Sequence, residues 1–207
     1  MVGKFLVLEG VDGCGKSTQA ARLVKGIEAS GNSVLHVREP GSTPLGESLR
    51  RIILDPNRPA WNPTTEALLF FACRKELLQG VIQPALLEGR HVVCERFTPS
   101  TFAYQGQTSE SAKAVLRLEE TVIPPDWQPD RVLIFDIPAA EALARAQSRG
   151  VADGIEQRGL QFLEKVREGF LGYAALHPER CSVLSVNGDS VEEVGDKVLK
   201  LLEGFWA

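Results

Sequence analysis

Residues Lys4 to Gln19 read K-F-L-V-L-E-G-V-D-G-C-G-K-S-T-Q, an apolar run from Phe5 to Leu8 that halts at a glycine-rich turn and continues as helix-compatible sequence. Gly10, Gly15, Lys16 and Ser17 fit the pattern G-x-x-x-x-G-K-S/T, in which backbone N–H groups and a helix N-terminus cradle phosphate oxygens. The chemistry explains the residue types. Glycines at 10, 13 and 15 let the backbone curl around an anion without Cβ clashes. Lys16 brings a point charge to the β/γ-phosphates, and Ser17 offers a hydroxyl to Mg²⁺. Cys14 lies inside this phosphate loop, beside a helix N-terminus and Lys16, which leaves two readings: a thiol sensitised to oxidation, or a small apolar filler.

The chain has 207 residues, 43% hydrophobic and 24% charged, enough to bury a full core as one domain, and its composition does not shift along its length. A net charge of -4 and a pI near 5.5 give no electrostatic footprint for duplex nucleic acid or an anionic membrane. The longest apolar runs fall far short of the ~20 residues that cross a bilayer, and the opening residues have no signal-peptide layout, so the expected location is cytoplasmic. Cys14, Cys73, Cys94 and Cys181 show no C-x-x-C spacing, and His36, His91 and His177 lie far apart, which argues against a zinc site or a disulfide framework.

Outward from the loop, Lys16 to Ala29 suit a helix that stops at Gly31, and Ser33 to Val37 form a second strand, completing one βαβ unit. Leu45 to Leu54 read as a short helix. Asn62 as N-cap with Pro63 at the first helical position starts a long helix towards Leu87, with a kink or restart expected at Pro84 and an end at Gly89. His91 to Cys94 are a third strand, Ala112 to Val122 a helix, and Arg131 to Ile137 a buried parallel strand. A helix over Ala139 to Ser148, a polar segment with two glycines, a helix over Leu160 to His177, a strand over Ser182 to Val186 and a closing helix over Val191 to Leu202 complete the chain. Five strands alternating with helices predict a parallel three-layer α/β fold.

Several polar residues fall where ligands of such sheets bind, at the carboxyl ends of strands. Arg38, before Glu39-Pro40-Gly41, can fork onto phosphate, or can form a plain surface pair with Glu39. Phe70 and Arg74, four residues apart on the long helix, project an aromatic face and a guanidinium from one side. That suits a nucleobase with a carbonyl acceptor, although packing of Phe70 into the core fits equally. Glu95 is a strand-end carboxylate of the kind that serves Mg²⁺, and Arg96 beside it can bridge phosphates in a transition state. Thr101 and Gln105 can present a hydroxyl and an amide on one helical face, or be ordinary surface polarity. Asp136 reads as a structural strand-end acid. Residues 149–157 are polar with Gly150 and Gly154, as a closing lid requires, and Arg145 and Arg149 stand at its base, where Arg145 also suits an ion pair with Glu141.

Taken together, E-G-V-D-G-C-G-K-S-T-Q, R-E-P-G, L-L-F-F-A-C-R, E-R-F-x-x-S-T-x-A-Y-Q-G and the basic lid resemble bacterial thymidylate kinase over nearly the whole chain. The resemblance implies the P-loop nucleoside-monophosphate kinase fold with strand order 2-3-1-4-5 over residues 1–207. It also implies transfer of the γ-phosphoryl of MgATP to dTMP for dTTP synthesis, and a homodimer. By the same likeness Gly10, Val11, Asp12, Gly13, Cys14, Gly15, Lys16, Ser17 and Thr18 surround ATP, with Ser17 and Glu95 on Mg²⁺. Arg38 and Arg96 hold the monophosphate, Phe70 stacks on thymine, and Arg74 bonds its O4. Thr101 and Gln105 approach the other base edge, Tyr104 lies against the sugar, and Asp12 faces the acceptor nucleotide. Lys16, Arg96 and the lid residue Arg149 carry catalysis, Arg149 because Gly13 holds the loop position where one branch of the family has arginine.

The chain departs from the family pattern at Ser42, where a second glycine is usual, and at Glu95, where Asp is usual. Thr108 to Ser111 replace a G-R-G-like segment, and Gly154 takes a position often held by Arg. Two other readings stand beside this one: a kinase for another nucleoside monophosphate, and a nucleotide-binding regulator with little activity. A GTPase switch is disfavoured because no N-K-x-D guanine-reading sequence occurs.

Overall fold

The computed structural model describes residues 2–147 and 159–206. β1 (Phe5–Glu9) is the middle of a five-stranded sheet in the order β2-β3-β1-β4-β5, and every pairing is parallel. The other strands are β2 (Val34–Arg38), β3 (His91–Glu95), β4 (Arg131–Asp136) and β5 (Cys181–Ser185). All of β1 is buried on both faces, which is why its sequence runs apolar instead of alternating. The edge strands β2 and β5 are only partly buried. Strand order, number and direction agree with the sequence reading, and the boundaries differ by a residue or so at most ends.

Register sets up the cleft. Leu8 and Arg38 both pair with Glu95, so the next residue of each strand, Glu9, Glu39 and Arg96, emerges side by side at the carboxyl edge. Backbone bonds from Glu39 N to Glu95 O (2.9 Å) and from Arg96 N to Leu8 O (3.0 Å) carry the ladder to that edge. The chain order reverses on either side of β1, and open α/β sheets open a crevice where that happens.

The helices begin and end for local reasons. α1 (Lys16–Ala29) follows Gly15, whose φ of 97° is left-handed. α2 (Pro44–Ile53) is capped by Thr43, and α3 (Pro63–Leu77) by Asn62, each with proline at the first position. The break expected at Pro84 is made one turn earlier. Leu78–Ile82 form a π turn in which Gln83 N reaches Leu78 O, before α4 (Gln83–Leu87) resumes with Pro84. α6 spans Ser109–Val122, three residues longer than expected, because Thr108 and Ser111 form a reciprocal capping box.

α5 (Thr98–Gln105) is buried at every position and is wedged among α3, α6 and α8 (Leu160–Leu176). At Gly169 of α8 a Cβ would lie 2.7 Å from Ala103 Cα, so the two helices pack backbone to backbone. A helix gripped this closely holds its side chains rigidly. α7 (Ala139–Gln147) and α9 (Val191–Leu201) complete the fold. No helix among the described residues is long and apolar enough to cross a membrane.

Candidate active site

The loop between β1 and α1 is held in a shape that only glycine allows. Gly10 has φ 134° and Gly13 φ 91°. A Cβ at Gly10 would sit 2.6 Å from Phe135 O, and one at Gly13 would sit 2.2 Å from Ala142 O. The second contact explains why this loop position carries no side chain: α7 presses on it. Lys16, only 6% exposed, donates to the carbonyls of Gly10 (2.8 Å) and Val11 (3.0 Å), so its ammonium sits at the rim of the loop. Cys14 is buried beneath it, which favours the filler reading, although Lys16 Nζ lies 3.7 Å from its Sγ.

Ser17 at the start of α1 donates to Glu95 Oε2 across the cleft, and His36 on β2 lies 2.9 Å from Glu95 Oε1. Burial pushes the Glu95 carboxyl up, but the bonds from His36 and Ser17 and the charge of Lys16 outweigh it and hold Glu95 below its ordinary value. A hydroxyl and an ionised carboxylate facing one another are the oxygen donors that a hard divalent cation takes. These residues therefore fit Mg²⁺, even with Glu in place of Asp. Thr18 is exposed beside Ser17 and lines the same cavity, together with Gly15 and Arg38.

Arg96 connects this phosphate region to the deeper pocket. It adopts φ 69°, unusual for a non-glycine residue, and its fork donates to Asp12 Oδ1 (2.6 Å) and to Ser100 Oγ (2.9 Å). Tyr104 reaches Asp12 Oδ2 at 3.4 Å, with its ring under the Arg96 guanidinium. Beneath them Glu9, fully buried, accepts from Phe97 N (2.6 Å), Ser100 N (3.1 Å) and Ser100 Oγ (2.6 Å). Burial raises the Glu9 pKa. Glu9 thus caps α5 from the end of β1 and supports the turn that aims Arg96.

The deeper pocket lies between α3 and α5. Phe70 is partly buried and lines it, whereas its neighbour Phe71 is in the core, so the core-packing alternative belongs to Phe71. Arg74 is 1% exposed and lies between the Phe71 and Phe97 rings. Its Nε and Nη2 hold Glu39 Oε2 at 2.9 and 2.7 Å, and Nη2 also donates to Thr101 Oγ1 at 3.0 Å. Its Nη1 is buried without a hydrogen-bond partner among the described residues. Thr101 and Gln105 both line the pocket, one turn apart on α5.

Arg38 and Glu39 do not pair with each other. Arg38 is exposed and meets Glu47 at 3.4 Å, while Glu39 turns inward to Arg74. The side chain of Ser42, at φ 64°, hydrogen-bonds the backbone of Arg38. Asp136 is gripped by both arms of Arg167 at 2.6 and 2.8 Å, the structural role expected of it. Arg145 pairs with Glu141. Arg149, Gly150, Gly154 and the rest of the expected lid over 149–157 lie outside the described residues.

A family model described as thymidylate kinase matches residues 8–198. The chain belongs to the thymidylate kinase family. It is 45% identical to a thymidylate kinase of Pseudomonas fluorescens (strain SBW25) over 184 residues, which is 89% of this chain and 88% of that one. It is 43% identical to one of Nitrosomonas europaea over 206 residues, 99% and 94% of the two chains. A solved thymidylate kinase from Ehrlichia chaffeensis superposes with a TM-score of 0.78 at 31% identity and covers 98% of this chain and 100% of that one.

Within that family frame, five residues of the site were not read from the sequence: Glu9, His36, Glu39, Arg50 and Glu66. Arg50 on α2 donates to Pro40 O at 3.0 Å and borders both the phosphate cavity and the deeper pocket. Its only sequence signal was a cation on a short helix after the R-E-P-G turn. The other four are charged or polar groups whose partners lie far along the chain, so local periodicity carried no trace of them.

Proposed function

We propose that this chain transfers the γ-phosphoryl group of ATP to dTMP, giving ADP and dTDP. The observation that carries the reading is the junction at Arg96: one guanidinium touches Asp12 of the phosphate loop and the helix that lines the deeper pocket. The donor nucleotide and the acceptor monophosphate then meet in line across it.

The acceptor phosphate is already anionic, so no general base is needed and catalysis rests on positioning and charge neutralisation. Residues 10–18 wrap the donor phosphates, with Lys16 on the β/γ oxygens. Arg38, Arg50 and Arg96 hold the acceptor phosphate, Arg96 staying close to the transferred group. Phe70 stacks on the base, Arg74 directs its unpaired Nη1 to O4, and Tyr104 packs on the sugar. By the family likeness Arg149 adds a further positive charge to the transferred group. Ser17 and Glu95 would hold Mg²⁺, which when bound would neutralise developing phosphate charge. The family likeness extends the proposal to a cytoplasmic homodimer.

A coupled assay over dTMP, dUMP, dCMP, dAMP and dGMP with ATP tests this. dTMP should exceed dUMP by no more than the ~1–3 kcal/mol of one buried methyl, and dCMP by far more. Comparable kcat/KM for dTMP and dCMP would overturn the base assignment. No turnover of any monophosphate would favour a regulatory binding protein.

A further inference from the structure

Glu66, Phe70 and Arg74 stand at successive four-residue steps of α3 and so share one face. Thr101 and Gln105, one turn apart on α5, oppose that face. Two hydrogen bonds cross between the helices, and their polarity alternates. In one, Arg74 on α3 donates to Thr101 on α5 at 3.0 Å; in the other, Gln105 on α5 donates through Nε2 to Glu66 Oε2 on α3 at 3.0 Å.

Glu66 is itself anchored. It is 4% exposed, and Arg58 Nη2 pairs with its other oxygen at 2.6 Å. Arg58 is fixed in turn by Ile53 O at 2.7 Å, by Pro59 O at 3.2 Å and by stacking at 4.3 Å on the Trp61 ring. An ion-paired carboxylate only accepts, so the Gln105 amide must turn its NH₂ towards Glu66. Its carbonyl oxygen, which no donor reaches among the described residues, is left for the pocket that Gln105 lines.

We propose that Glu66, braced by Arg58, is a specificity-determining positioning residue: it fixes the polarity of the Gln105 amide so that the pocket offers an acceptor beside the Arg74 donor. That pattern complements a pyrimidine with N3–H and O4, as thymine and uracil have, and opposes cytosine, whose N3 accepts and whose 4-amino group donates. The inference rests on the base pocket described under the proposed function and adds what sets its polarity.

The test is Glu66→Gln, a nearly isosteric change that lets the Gln105 amide turn either way. kcat/KM for dTMP and dUMP should fall together while that for dCMP holds or rises, narrowing the dTMP:dCMP ratio by about tenfold or more and leaving dTMP:dUMP within about twofold. In a Gln105→Met background the same substitution should change the ratio no further. An equal loss for all three monophosphates, or an unchanged dTMP:dCMP ratio, overturns the proposal. Should Glu66→Gln fail to fold, Arg58→Gln, which unanchors Glu66 from the surface loop, must lower the ratio in the same direction, and no change there overturns it. A wild-type enzyme indifferent to dTMP and dCMP would overturn the base assignment itself; a wild-type preference that survives Glu66→Gln overturns the brace alone.

Discussion

Arg96 Nη2 donates to Asp12 Oδ1 at 2.6 Å, which ties the turn after β3 to the phosphate loop, 84 residues away in sequence. The second arm of the same guanidinium reaches Ser100 at the start of α5. A lysine has the charge but not the fork, and it cannot hold both sides. Arg96→Lys should therefore lower kcat by ~10²-fold or more, with a smaller change in the KM for dTMP. Steady-state kinetics with dTMP varied at saturating MgATP read this directly, and a loss confined to KM would assign Arg96 to ground-state binding.

The glycines of the phosphate loop differ in why they are needed. Gly13 has both a left-handed φ and a backbone oxygen 2.2 Å from where a Cβ would sit, whereas Gly15 at φ 97° has nothing within 4 Å. Gly15→Ala should cost only backbone strain, ~1–2 kcal/mol. Gly13→Ala adds overpacking against Ala142, a further ~1–3 kcal/mol, and should push the loop off its course. Thermal melts should show the larger drop for Gly13→Ala, together with a raised KM for ATP. Equal drops would mean that α7 yields freely.

Burial pushes the Glu39 carboxyl from its ordinary 4.5 up to about 7, against the opposing pull of Arg74. Between those values the folded protein holds a proton that the unfolded chain has released. The contribution of Glu39 to stability is thus greatest below about 4.5 and is lost as the pH rises to about 7. Glu39→Gln removes this titration. The melting-temperature difference, wild type minus variant, should become less favourable to wild type as the pH rises through that window. A difference independent of pH would show that Arg74 keeps Glu39 ionised throughout.

Since α7 leaves no room for a side chain at Gly13, a transition-state arginine has to come from outside the phosphate loop. Arg149 is the proposed source. Arg149→Ala should lower kcat by ~10²–10⁴ while the KM for dTMP stays within a few-fold. Arg145→Ala, which loses a pairing with Glu141 on its own helix, should cost much less. Near-normal kcat in Arg149→Ala with collapse in Arg145→Ala, or in Arg158→Ala at the next arginine along the chain, would reassign the role.

What could be read from the sequence was what local chemistry encodes. The phosphate loop depends on glycines and a lysine at fixed spacing, and the strands and helices depend on runs and periods of a few residues. The capping box at Thr108 and Ser111 is local too, but its N3 residue is Ser in place of the usual Glu or Gln, so it does not show the common signature. Phe70 was ambiguous for a different reason. Two adjacent phenylalanines on one helix look alike in sequence, and only the packing of α3 against α5 sends Phe71 to the core and Phe70 to the cleft.

The sequence by itself determined the order of elements and the phosphate loop, and it offered most of the residues proposed to meet a nucleotide, Arg50 excepted, because each of these is a property of neighbours along the chain. The tertiary structure decided who holds those residues in place. Glu39 meets Arg74 across 35 positions, Glu66 meets Gln105 across 39, His36 meets Glu95 across 59 and Glu9 meets Ser100 across 91. Each is a polar contact made after the sheet register and helix packing have formed. A buried charge survives only where the fold delivers its partner, and a charged side chain carries no hydropathy signal that says where that partner will be.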